Sequence, residues 1–85
     1  METIKDLVNR ILWDEKENKE DYFFFYVDRV ENRENEIKGR NVLKTDSNFI
    51  VVERTRDDGK KEQAEIPMHR IRRVMKGDTT VWKRY

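Results

Sequence analysis

Tyr22-Phe23-Phe24-Phe25-Tyr26-Val27 restricts the fold more than any other stretch: an unbroken block of β-favouring residues bounded by acidic side chains. Aromatic and β-branched residues suit a pleated, partly buried surface, and a block this short is a strand rather than a helix. Side chains alternate along a strand, so Tyr22, Phe24 and Tyr26 point one way and Phe23, Phe25 and Val27 the other. A central strand over 22–30 is therefore expected, with both faces covered and one of them covered by a helix.

That helix is written just upstream. Ile4, Leu7, Val8, Ile11 and Leu12 form a one-sided apolar stripe, and Thr3 with Asp6 makes a capping box in which Asp replaces the usual Glu. A helix over 3–12 is expected, with Trp13 just past its end. Asp14 to Asp21 reads as a loop and Glu31 to Asn35 as a hairpin connection. A second strand is expected over 36–43, with Gly39 as a bulge or turn point. Asp46-Ser47-Asn48 marks a turn before a strand at 49–54, and Asp58-Gly59 suggests a type I′ hairpin turn into a strand at 61–66. Pro67 has no N–H for a sheet ladder, so it ends that strand and begins a short turn through Met68-His69-Arg70-Ile71. Strands at 72–76 and 79–84 flank Gly77-Asp78. The sum is an α+β fold in which the N-terminal helix packs on five or six short, mainly antiparallel strands, as a bent sheet or a partly open barrel. No internal repeat or linker is evident, and residues 1–85 read as a single domain.

The charged fraction is 44% although the net charge is only +1, which predicts a thin core inside a surface of ion pairs. The balance is uneven along the chain. Residues 14–36 carry four basic and nine acidic side chains, whereas residues 69–85 carry six basic and one acidic. The cationic segment either gathers on one face that attracts phosphate or pairs with the acidic one. Cysteine is absent, which excludes disulfides and thiolate metal sites. No apolar run approaches the ~20 residues of a membrane span, and the N-terminus lacks a signal peptide's apolar centre, so a cytoplasmic protein without a membrane partner is expected.

Enzymatic chemistry finds little support. Gly39, Gly59 and Gly77 are too dispersed for a phosphate loop, and one histidine without cysteine makes neither a metal cluster nor a thiol nucleophile. No catalytic residue, metal or cofactor is expected. The densest polar group is Ile66-Pro67-Met68-His69-Arg70-Ile71-Arg72-Arg73. There Pro67 restrains a backbone that displays an imidazole and a guanidinium, and an arginine fork beside a histidine donor suits a phosphate monoester or cyclic phosphate. The competing explanation is a histidine bonded to a backbone carbonyl and an arginine paired with the acidic segment. Trp13 and Trp82 each either stack on an unpaired base or close the core. Arg10, in the last helical turn, and Arg29, beside Asp28, are explained by the helix dipole and by a local ion pair, or else they face the same anion pocket.

Asn9-Arg10-Ile11-Leu12-Trp13-Asp14, Asp28-Arg29, Ile66-Pro67-Met68-His69-Arg70-Ile71 and Val81-Trp82-Lys83-Arg84 together resemble, in order and spacing, the RNA cyclic group end recognition domain, a small and mostly archaeal family of uncharacterised proteins. The resemblance implies a non-enzymatic module that binds single-stranded RNA ends bearing a 2′,3′-cyclic or related phosphate, in company with RNA-processing or repair enzymes. Carried onto this chain, it marks His69, Arg70, Arg29, Arg10, Trp13 and Trp82. Family members often have glycine soon after the position of Arg29, where this chain has Val30-Glu31-Asn32. Two other functions stay open. One is an adaptor that docks on an RNA-processing partner through a sheet edge and the cationic C-terminal segment; the other is a phosphoesterase with His69 as general acid or base.

Overall fold

The computed structural model describes residues 2–28, 30 and 32–84. Helix α1, Ile4–Trp13, forms where the apolar stripe predicts it. The Thr3 hydroxyl accepts the Asp6 N–H at 3.1 Å, and Ile4, Leu7, Val8 and Ile11 are buried. Seven strands follow among the described residues: β1 (Tyr22–Val27), β2 (Glu34–Lys38), β3 (Val42–Asp46), β4 (Phe49–Thr55), β5 (Lys61–Pro67), β6 (Ile71–Lys76) and β7 (Thr79–Lys83). All pairings are antiparallel, in a four-stranded sheet ordered β2-β1-β6-β7 and a three-stranded sheet ordered β3-β4-β5. The α+β layout is as expected, and no barrel closes among the described residues.

The additional strand arises at Gly39. There the expected second strand breaks into β2 and β3, joined by a 3-10 turn over Gly39–Asn41 at which the chain leaves one sheet for the other. A Cβ on Gly39 would sit 1.9 Å from the Lys19 carbonyl oxygen, so only glycine permits this approach. β5 and β6 change sheets in the same way, through a 3-10 turn over Met68–Arg70 behind Pro67. The Asp58-Gly59 expectation needs correction. β4 and β5 part after the Thr55–Lys61 pair, the Gly59 N–H donates to the Arg56 carbonyl at 2.9 Å, and Gly59 alone in that loop has a positive φ. This is a right-handed turn followed by a left-handed glycine, the longer hairpin solution, not a type I′ turn.

The registers also reveal an internal repeat where none was expected. β1-β2-β3 and β4-β5-β6 are one unit used twice. Phe24 lies opposite Ile37 as Ile50 lies opposite Ile66; between the units, Tyr26–Ile71 and Phe25–Arg73 are answered by Val52–Val42 and Val51–Lys44. Both of these ladders skip a residue at the same step, Arg72 in one and Leu43 in the other. The corners match as well. Ile37 and Ile66 are each 8% exposed, and Val42 and Ile71 are each 0% exposed, at equivalent places around the two turns. A long cation grips each corner from outside the unit: Lys19 Nζ donates to the Val42 carbonyl at 2.9 Å and Arg84 Nε to the Ile71 carbonyl at 3.1 Å.

The inner faces of both sheets and α1 close on one cluster that includes Leu7, Val8, Phe24, Ile50, Met68 and Val74. The outer face of the four-stranded sheet departs from expectation. Phe23, Phe25 and Val27 are half-buried there, outside that cluster, and no described helix or strand lies over them. Among the described residues, helix and strand thus cover β1 on one side only. No helix among the described residues is long and apolar enough to cross a membrane.

Candidate nucleic-acid interface

Pro67, at φ −59°, sets the entry to the Met68–Arg70 corner, and the corner is held from several directions. Met68 is buried and its N–H donates to the Asn48 carbonyl at 2.8 Å. Arg84 reaches the far side, its Nη2 donating to the Met68 carbonyl at 3.3 Å while Nε holds that of Ile71 at 3.1 Å. The Met68 N–H and the Met68 and Ile71 carbonyls are thus held, and exposed His69 and half-buried Arg70 project from a restrained frame. Neither side chain forms a hydrogen bond or ion pair with any described residue. The acidic segment takes other cations instead: Arg73 pairs with Glu34 at 2.8 Å, and Lys76 approaches Glu17 at 3.9 Å.

A line of contacts leads away from this corner. The Arg84 guanidinium lies 5.1 Å from the centroid of the Trp82 ring, the Trp82 indole N–H donates to the Glu2 carbonyl at 3.1 Å, and the Glu2 carboxylate takes Arg10 Nε and Nη2, both at 3.0 Å. The corner, β7 and α1 are linked in this way. Within the line Trp82 packs against the core, the second of the two roles open to it. Arg10 is engaged by carboxylates: besides Glu2, Glu17 lies 3.8 Å away, and the Glu2 hydrogen bond above all raises the Arg10 pKa. Trp13 ends α1 at 76% exposure and shares no hydrogen bond or ring contact with these groups among the described residues.

Arg29 lies outside the described residues. Beside it the Asp28 carboxylate accepts the Val30 N–H at 2.7 Å, and Asn32 takes φ +52°, the left-handed conformation that a glycine would supply. Arg84 went unassigned in the sequence because its partners lie 13 and 16 residues upstream, and nothing local marks a cation that will secure a distant turn. At the other corner a cleft of about 280 Å³ opens between the sheets, lined by Tyr26, Lys38, Arg40, Asn41 and Arg54 among others. Its charge is mixed: Glu36 and Glu53 share the lining, and Arg54 is paired with Glu62 at 2.9 Å.

The model of the MJ1316 RNA cyclic group end recognition domain matches residues 1–84. The chain belongs to this family. UPF0248 proteins of Saccharolobus islandicus strain L.S.2.15 and Saccharolobus solfataricus are 31% identical to it over 84 residues, covering 95% of this chain and 98% and 95% of their own. A UPF0248 protein of Methanococcus maripaludis strain C5 is 34% identical over 73 residues, covering 85% of this chain and 83% of its own. No solved structure matches. The resemblance carried by the Ile66–Ile71 block and the Trp82 segment thus holds at the level of the end recognition family.

Proposed function

We propose that this member of the end recognition family is a cytoplasmic, non-enzymatic module that binds single-stranded RNA ends bearing a 2′,3′-cyclic or other terminal phosphate and works beside RNA-processing partners. One observation carries this reading: His69 and Arg70, whose side chains bond no described residue, stand on a turn that Arg84 braces at the flanking Met68 and Ile71 carbonyls. A planar guanidinium on a restrained turn meets two phosphate oxygens with little ordering left to do, and the imidazole beside it adds a donor when protonated. The family's description as an RNA end recognition domain supports the ligand class.

Fluorescence anisotropy with short RNAs ending in a cyclic phosphate, a 3′-phosphate or a hydroxyl tests the reading. The phosphate-bearing ends bind more tightly, and Arg70→Ala weakens them by about tenfold to a hundredfold, the worth of a charge-assisted bond, while hydroxyl-ended RNA barely responds. Equal binding of all three ends, or an unaffected Arg70→Ala protein, rejects it.

A further inference from the structure

Phe23 and Phe25 stand next to each other on the open face of the four-stranded sheet, with Lys38 of β2 in register with Phe23 and Arg73 of β6 in register with Phe25. Arg73 arches over β1: its guanidinium lies 4.1 Å from the Phe25 ring centroid and its Nη2 bonds Glu34 of β2 at 2.8 Å. A flat, delocalised group therefore already lies against one face of this half-buried ring. The repeat provides an internal control. Phe49 and Val51 occupy the places of Phe23 and Phe25 in the second unit, and Val51 is only 5% exposed in surroundings formed by Lys44, Asp46, Gln63 and Glu65. The unit thus closes this face with a small residue and long polar side chains. A phenylalanine at position 25 is not something the architecture requires.

We infer that this face stacks the unpaired bases adjoining the phosphate-bearing RNA end, Phe25 holding one base and Phe23 the next. The inference rests on the RNA-end reading above and adds to it the surface that receives the rest of the strand. Alternate residues of a strand are ~6.8 Å apart, so each ring serves a separate base, and exposed aromatics on a four-stranded sheet are a known way to stack two or three bases. The charge around Phe25 is directional, Lys38 standing on the β2 side only at Phe23. Arg73 and Lys83 face each other across β6 and β7 on one side of β1, whereas Glu34 and Glu36 lie on the β2 side. Phosphates therefore follow the β6–β7 side and bases turn inward over β1. Continuity favours the same path, since β6 starts directly after Arg70 and Arg73 is its third residue. The Arg73–Glu34 pair is an exposed one of the kind that contributes little, so an arriving base displaces the guanidinium or stacks on its plane.

Anisotropy on the full chain with a five-nucleotide RNA ending in a cyclic phosphate, and with its hydroxyl-ended twin, separates this inference from the one beneath it. Phe25→Leu and Phe23→Leu each weaken both RNAs by about fivefold to a hundredfold, the range for one lost stack, and leave the preference for the phosphate end unchanged. Phe25→Trp keeps the affinity, and an RNA with abasic sites next to its end binds wild type as weakly as the leucine variants bind normal RNA. Leucine variants that bind as wild type, or that change the oligomeric state in light scattering and so reveal the face as a contact between copies, overturn the inference. Loss of the end preference in wild type, with the leucine effects intact, overturns only the end reading.

Discussion

In the first unit of the repeat the chain turns its corner through Gly39-Arg40-Asn41, pressed so closely on the Lys19 carbonyl that no side chain fits. In the second it turns through Met68-His69-Arg70, with Met68 filling the interior and Arg84 holding the carbonyls. Registers, flanking Ile and Val or Ile positions, and an external cation on the corner carbonyl are common to both. What differs is Arg40 against His69, Asn41 against Arg70, and, on the outer faces, Val51 against Phe25. Shared features are those the frame needs to close its core. The differences show which positions the frame leaves free, and the second corner and the first unit's outer face are where imidazole, guanidinium and aromatic rings gather.

The sharpest way to break the distinction between frame and free positions compares two adjacent residues of β1. Phe24 is 1% exposed at the centre of the core, so Phe24→Ala lowers the stability measured by urea unfolding by about 3–5 kcal/mol. Phe25→Val installs the residue that the second unit uses at the same place and lowers it by about 0.5 kcal/mol. Comparable losses from the two substitutions would mean that the outer ring belongs to the frame after all.

A middle-sized effect sharpens the comparison of corners. Arg84→Ala takes the guanidinium bonds from the Ile71 and Met68 carbonyls, the latter keeping the Ile71 N–H, and Lys19→Ala takes the ammonium bond from the Val42 carbonyl. Each costs about 1–3 kcal/mol in urea unfolding, the worth of a part-buried hydrogen bond from a charged donor. They part in anisotropy: only Arg84→Ala loosens the turn that displays His69 and Arg70, so only it weakens binding of cyclic-phosphate RNA. An RNA affinity that ignores Arg84→Ala would show that Pro67 and Met68 restrain the turn by themselves.

The helix, the aromatic strand and the turn after Pro67 were legible because their signals are local: a 3-10 corner behind a proline, a stripe at helical spacing, a block of β-formers. Trp13 and Trp82 were not separable, since both sit among charges in the sequence, and only the fold sends one indole to the Glu2 carbonyl and leaves the other 76% exposed. Arg10 suits the helix dipole on paper, yet it is engaged by Glu2, eight positions away. The repeat was hidden because Glu36-Ile37 and Glu65-Ile66 are its sole identical pair around the corners and the hairpin loops differ in length. That one face of β1 stays open follows from which strands carry the helix, a property of topology that no local pattern encodes.

The smallest effect concerns the strand starts, where Tyr22 of the first unit stands in the place of exposed Asn48 of the second. The Tyr22 ring is 3% exposed and its hydroxyl donates to Glu17. Burial first, then the Glu17 bond, pushes its pKa up to about 12 from an ordinary 10.0. The folded state thus prefers the neutral phenol more strongly than the unfolded chain does. This preference stabilises fully below pH 10 and is lost as the pH rises towards 12, where the unfolded chain sheds its proton first. At pH 7 Tyr22→Phe loses the bond to Glu17 and about 1 kcal/mol. Phenylalanine has no proton to lose, so the gap between the two proteins narrows through the alkaline window and then reverses. Urea midpoints at pH 7, 10 and 12 measure it, and a gap that stays constant would place the Tyr22 hydroxyl in contact with water rather than sealed beneath the first unit.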